Sequence, residues 1–257
     1  MSELSLLALI GVLSISCQWL AWRLKTPAIL PLLVCGLIIG PTLGWLNPDQ
    51  LFDQLLFPLV SLAVAVILFE GSLTLKFDEI RGHGRMVTNL VSVGMVVTWV
   101  AIGVATHFLM GWEWELSALF GALVVVTGPT VIQPMIRSIR PINKLANILR
   151  WEGIIIDPVG ALLAVLVYEF IIASQDVAFL HAMQAFAKTI GIGFFFGWVA
   201  AKLLGLALGR GWFPHYLQNV ATLTIVLGVF ALSNAIQHES GLLTVTVMGM
   251  AMANTKN

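Results

Sequence analysis

Two stretches hold groups that an apolar chain should exclude. In "LRWEGIIIDPVGALLAVL" the carboxylate of Asp157 stands among Ile, Val and Leu, and in "VVVTGPTVIQPMIRSIR" the knot Thr127-Gly128-Pro129-Thr130, followed by Pro134, interrupts an apolar run. A charge at mid-bilayer costs about 2.5 to 3.5 kcal/mol on insertion scales, so a carboxylate there is expected to face a cavity, a partner or a transported ion. A carboxylate that can hold either a proton or a cation is what proton-coupled exchange requires. The alternative is a neutral or paired Asp157 that ties helices together. The two prolines remove two backbone donors, and unsatisfied backbone at that depth is tolerated where it is buried in protein or lines a polar cavity. Half-helix ends and freed carbonyls facing an ion at the midplane are one such arrangement; a simple proline kink is the other.

Glu152 lies five residues before Asp157, about 500° of helical rotation, so the two point roughly 140° apart. It stands nearer the end of its span beside Arg150, open to an ion-binding role or to a solvated, ion-paired one. Glu70, in "LFEGSL", is read as structural or snorkelling, and His107 and Glu169 fall towards span ends. No "GxxxxGK[ST]" loop, metal-spaced cluster of His, Cys and carboxylates, or nucleophile elbow is present. An enzyme is therefore disfavoured, and no cofactor or nucleic-acid partner is expected.

The elements that must position these groups are membrane helices. Of 257 residues 59% are hydrophobic and 10% charged, against roughly 25% charged in soluble domains. Nine apolar runs are read as spans, about 4 to 22, 28 to 45, 55 to 74, 87 to 110, 116 to 136, 148 to 173, 181 to 209, 217 to 236 and 240 to 254. Turn chemistry separates them at Lys25-Thr26-Pro27, Asn47-Pro48-Asp49, Arg81-Gly82-His83-Gly84, Arg140-Pro141-Ile142-Asn143 and Gly211-Trp212-Phe213-Pro214. The expected fold is all-α and polytopic, with one discontinuous helix.

Charge asymmetry tests the count. With the N-terminus outside, inner ends hold Arg23, Lys25, Lys76, Arg81, Arg85, Arg137, Arg140, Lys144, Arg150, Lys202, Arg210 and Lys256, twelve of the thirteen basic residues, and Lys188 is the exception. Asp49, Asp53, Glu113, Glu115, Asp176 and Glu239 fall at outer ends. The run Leu4 to Ala21 has Glu3 before it and Arg23 and Lys25 after it, the reverse of a signal peptide, and is read as a retained helix. Trp45, Trp112, Trp114, Trp151 and Trp212 lie near span ends and are expected in the interfacial belt. Cys17 and Cys35 fall in apolar spans as small buried hydrophobes.

With these residues in hand, the chain resembles the cation/proton antiporter superfamily, in particular its bacterial sodium/proton exchanger branch. The likeness runs in span order through all 257 residues and is concentrated in the two stretches quoted above. Thr127 and Pro129 match that family's Thr-Asp-Pro type break, and Glu152 and Asp157 match the Glu-Ser-Leu-Leu-Asn-Asp type motif of the next helix. Gly128 stands where many relatives have Asp, and Gly153 and Ile156 replace Ser and Asn, which leaves fewer side-chain oxygens. The resemblance implies exchange of Na+ or K+ for H+ by alternating access. Asp157 would bind proton and cation competitively, with Thr127, Thr130 and Glu152 as further oxygen donors and Gly128, Pro129 and Pro134 as the helix break. It implies an inner-membrane homodimer with two inverted repeats of about thirteen helices, of which residues 1–257 would be an incomplete, N-terminal part of the transmembrane domain. The alternatives are a channel or substrate symporter on a related fold, or a membrane scaffold that transports nothing.

Overall fold

Backbone polar groups have no water to pair with inside hydrocarbon, so a chain this apolar must satisfy them within helices. In the computed structural model, which describes residues 3–172 and 178–255, every regular element is helical. The order is α1 (Glu3–Leu24), α2 (Ile29–Leu37) continuing into a wide π turn (Ile38–Thr42), α3 (Pro48–Phe52), α4 (Leu56–Ser72), α5 (Phe77–Ile80), α6 (Gly84–Asn89), a second π turn (Leu90–Gly94), α7 (Met95–Met110), α8 (Trp114–Val124), α9 (Pro129–Ile139), α10 (Asn143–Ile172), α11 (Ala178–Gly209), α12 (His215–Ile236) and α13 (Ser240–Ala253). Among the described residues six stretches are long and apolar enough to cross a membrane: Leu4–Leu24, Pro48–Ser72, Gly84–Met110, Asn143–Ile172, Gln184–Gly209 and His215–Ile236. Three shorter apolar stretches, Ile29–Thr42, Trp114–Val124 and Ser240–Ala253, occupy the other expected spans. Asp176 and Lys256, placed by the charge pattern, and the side chain of Thr130 lie outside the described residues.

Local chemistry sets the boundaries. The Asn47 side chain accepts from the backbone N–H groups of Asp49 (3.1 Å) and Gln50 (3.4 Å), with Pro48 opening α3, so the predicted turn also starts a helix. Gly111 closes α7 with a left-handed φ of 69°, and Gly211 takes the same φ after α11. Pro41 sits inside the first π turn, where its missing N–H and ring bulk are accommodated by the wider helix.

The chain divides into two compact units. The first holds the residues up to Ala63 together with Thr130–Ile142, and the second holds Val64–Pro129 and Asn143 onwards. In the first unit α1 packs on α2, and buried Cys17 places its Sγ 3.6 Å from the Pro31 carbonyl. Large side chains such as Trp22 and Phe57, each 77% exposed, are the surface expected against lipid.

The second unit carries the sites of closest packing. Its most extensive helix pairing is α11 with α13. A Cβ on Gly197 would lie 2.5 Å from the Thr244 carbonyl oxygen, and one on Gly249 would lie 2.6 Å from Ser72 Cβ, so small residues let these backbones meet. Buried hydroxyls join α12 to α13: Ser233 Oγ lies 2.6 Å from Ser240 Oγ and 2.7 Å from Thr244 Oγ1. Asn254, just past α13, clamps the α4–α5 link, accepting from the Phe77 N–H at 2.8 Å and donating to the Leu75 carbonyl at 2.7 Å.

Trp151 departs from the expected belt. It is buried with Leu75, Val87, Ile148 and Ile154, and its ring meets Phe77 at 5.5 Å. The other belt positions differ: Trp45, Trp114 and Trp212 are exposed, while Trp112 is half-buried. The cause is that α10 extends well beyond its expected start at residue 148, back to Asn143, so Trp151 lies two turns inside the helix.

The segment that interrupts α8 and α9 is seated on α10. A Cβ on Gly160 would lie 2.3 Å from Val126 Cγ2 and 3.5 Å from Val125 Cγ1, so only glycine admits the segment at this approach.

Two packing predictions follow from these glycines. Gly197→Val should lower thermal stability in detergent by about 2 kcal/mol or more. Gly205→Ala, on the same helix with nothing within 4 Å, should be neutral or stabilising by about 0.5 kcal/mol; equal losses at both would mean that α11 rejects side chains generally. Gly160→Ala should cost about 1 to 3 kcal/mol, and adding Val126→Ala should recover most of it. Additive losses in that double-mutant cycle would uncouple the two residues.

Candidate ion-binding site

The helical hydrogen-bond ladder stops where the Thr-Gly-Pro-Thr knot predicts. α8 ends at Val124, residues 126–128 are non-helical, and α9 begins at Pro129. Gly128 takes a φ of +63°, the left-handed region that other residues rarely adopt, and so turns the chain out of α8. Pro129 is the first residue of α9, where a missing N–H leaves no intrahelical bond unmade. The last carbonyls of α8 and the first amides of α9 consequently lack intrahelical partners.

Pro134 does not break the chain as expected. α9 runs through it to Ile139. It lies in the second turn, so its ring interferes with a single carbonyl, that of Thr130, and the helix tolerates the loss of one bond.

α10 presents the carboxylates. It is continuous over 30 residues, and Asp157 lies at its middle. Both Glu152 and Asp157 are half-buried. The Thr127 hydroxyl donates to Glu152 Oε1 at 3.0 Å. Arg150, two residues before Glu152, reaches Glu79 at 3.9 Å. Among the described residues Asp157 has no hydrogen-bond or ion-pair partner.

Two consecutive residues of the break therefore meet α10 on either side of Asp157 along the axis: Thr127 at Glu152, and Val126 at Gly160. On a regular helix Asp157 points about 60° to one side of Gly160 and Glu152 about 80° to the other. The break lies over the face between the two carboxylates. Pro158, buried next to Asp157, adds a backbone acceptor, since without its N–H the carbonyl of Ile154 has no donor in the ladder.

Sequence reasoning brought Thr127, Gly128, Pro129, Glu152 and Asp157 to this region. It missed Gly160 and gave Pro158 no role. A proline inside a long apolar run was the available signal for the latter; Gly160 had none, since its importance lies in what it touches. The remaining ionisable groups have other surroundings. His107 Nδ1 donates to the Trp112 carbonyl at 2.6 Å and its ring stacks on Trp114 at 3.8 Å, which braces the α7–α8 turn. Glu70 and Glu169 are exposed. Among the described residues no group of three or more His, Cys, Asp or Glu could hold a metal ion.

Comparison with known proteins sets this geometry in a family. The sodium/hydrogen exchanger transmembrane family matches residues 6–257. The K(+)/H(+) antiporter NhaP of Alkalimonas amylolytica is 27% identical over 258 residues, covering 96% of this chain and 43% of the relative. The Na(+)/H(+) antiporter NhaH of Halobacillus dabanensis is 24% identical, over 96% of this chain and 62% of its own length. Sodium/hydrogen exchanger 8 of Arabidopsis thaliana is 26% identical, over 94% and 33%. The fold is that of the sodium proton antiporter MjNhaP1 from Methanocaldococcus jannaschii, with a TM-score of 0.79 at 22% identity, over 98% of this chain and 63% of that one. The chain thus spans between a third and three fifths of the length of these relatives. Over that length, with a membrane helix interrupted beside a carboxylate-bearing one, it is a multi-pass membrane protein that belongs to the sodium/hydrogen exchanger transmembrane family.

Proposed function

We propose that the natural full-length protein is a secondary active antiporter that exchanges a monovalent cation, Na+ or K+, for H+ by alternating access. The observation that carries this reading is the half-buried Asp157 at the middle of α10, without a partner among the described residues and bracketed by the two contacts of the Val126–Thr127 break. Asp157 would take the proton and the cation in turn. Glu152, oriented by the Thr127 hydroxyl, and the carbonyls released at the end of α8 and by Pro158 would supply further oxygens. Thr130 is assigned to the same set through its place in the motif.

The protein is placed in the plasma membrane, the inner membrane of a bacterium with two, with its N-terminus outside and residue 257 on the cytoplasmic side. Support comes from the twelve basic residues at alternate span ends. A homodimer is proposed by resemblance to the family. The relatives' names divide between Na(+) and K(+), so both cations enter the test.

The test follows a preset pH gradient in everted vesicles carrying the full-length protein. Adding Na+ or K+ should dissipate the gradient, and Asp157→Asn should abolish the response at unchanged expression. Undiminished exchange in the variant would make Asp157 a structural residue. Current without a fixed cation-for-proton ratio would indicate a channel.

Competition at one carboxylate makes a further prediction. Where the site is mostly protonated, each unit of falling pH should raise the apparent KM for the cation about tenfold while the maximal rate holds, as mass action at a shared site requires. A pH-independent KM would separate the proton and cation sites.

A further inference from the structure

The first unit contains a cavity whose chemistry the exchange reading does not use. It has a volume of about 950 Å³ and lies beside the last turn of α1, with Arg23 and Lys25 from that end and Arg137 and Arg140 from the end of α9 on its lining. Among the described residues no acidic one lines it. The acidic residues of this unit are Glu3, at the opposite end of α1, and Asp49 and Asp53, in and just past α3. Trp22 and Pro134 contribute an apolar wall.

Depth follows from sequence position. α1 is apolar enough to cross a membrane from Leu4 to Leu24, so a cavity at Arg23 and Lys25 stands at headgroup level. A charge bias between the two membrane faces explains why basic residues gather at this end. It does not explain why four of them line one cavity, nor why Arg140, a non-glycine residue, is held at a φ of +51° on its rim.

We propose that this cavity binds the phosphodiester headgroup of an anionic phospholipid. The guanidinium groups of Arg23, Arg137 and Arg140 suit phosphate oxygens, which they can engage through paired N–H donors. The apolar wall takes the glycerol and the first methylenes of the chains, and basic pockets between membrane helices at headgroup level bind such lipids generally. A free phosphate ion would use the same cations but not the wall.

The test reads lipid retention, independently of transport. Full-length protein in neutral detergent is titrated with phosphatidylglycerol, phosphatidylcholine or inorganic phosphate and bound lipid is counted by native mass spectrometry. Phosphatidylglycerol should be retained at one per chain and phosphatidylcholine should not, with millimolar phosphate failing to displace it. Arg137→Gln with Arg140→Asn should weaken retention by about thirty-fold, from roughly five-fold per juxtamembrane cation. Asn tolerates the left-handed backbone at position 140, so the variant should fold, and normal thermal stability in detergent would check this. Arg85→Gln, an exposed basic residue outside the cavity, should change nothing. Equal retention by wild type and the double variant, an equal loss with Arg85→Gln, or displacement by phosphate would each overturn the proposal.

Discussion

An apolar medium allows a backbone to stop being helical only where something else receives its polar groups, and most of this chain obeys that limit without exception. α10 stays helical for 30 residues although it contains Pro158 and three carboxylates, Glu152, Asp157 and Glu169. The irregularity is moved to the neighbouring segment, where Val124 ends α8 and Pro129 begins α9. That division matters physically. A carboxylate on an intact helix has a defined depth and direction, while the broken segment beside it offers carbonyls and amides that are not committed to a ladder. Had the break been in α10 itself, Asp157 would have lost the rigid support that fixes its position.

The hydroxyls show the same economy. Ser72, Thr106, Thr189 and Thr246 each donate to the carbonyl four residues earlier, at 2.6 to 2.9 Å, which satisfies the side chain without any partner helix. Ser233, Ser240 and Thr244 also pair across α12 and α13 and act as polar glue, while Thr244 keeps a 2.9 Å contact to the Ser240 carbonyl on its own helix. Thr127 belongs to neither group: it directs its hydroxyl to a carboxylate, that of Glu152. A threonine in a helix would have had a carbonyl at hand. Outside one, Thr127 is free to orient an ionisable group, so the break creates the contact as well as exposing the backbone.

Features that depend on local chemistry were legible in the sequence. Apolar runs gave the spans, turn residues gave their ends, and Thr127-Gly128-Pro129 gave the interruption because glycine and proline act on their own backbone. Features that depend on what a residue meets were not. Nothing around Gly160 distinguishes it from Gly205, yet one would drive a Cβ into Val126 and the other would meet nothing within 4 Å. Trp151 has the sequence context of a belt residue but is enclosed by Leu75 and Val87, residues remote from it in the chain. Pro134 misled because a proline's effect depends on its place in the helix, and that place could be known only once α9 was seen to begin at Pro129.

Gly128 links the conformation of the break to its chemistry. The resemblance places an acidic residue at this position in many relatives; here glycine adopts a φ of +63°, at no steric cost. An aspartate can enter the same region, so the turn does not by itself require glycine, and the exchange removes a carboxylate while leaving the backbone path available. With Gly153 and Ile156 also lacking side-chain oxygens, the two motifs keep Thr127, Glu152 and Asp157 as their oxygen-bearing side chains in the second unit. On the exchange reading a cation would then depend more on backbone carbonyls than on side chains. Those carbonyls are held in place by the Thr127–Glu152 and Val126–Gly160 contacts. The fit of the Val126 side chain against one glycine thus sets the geometry of the site as much as the carboxylate does.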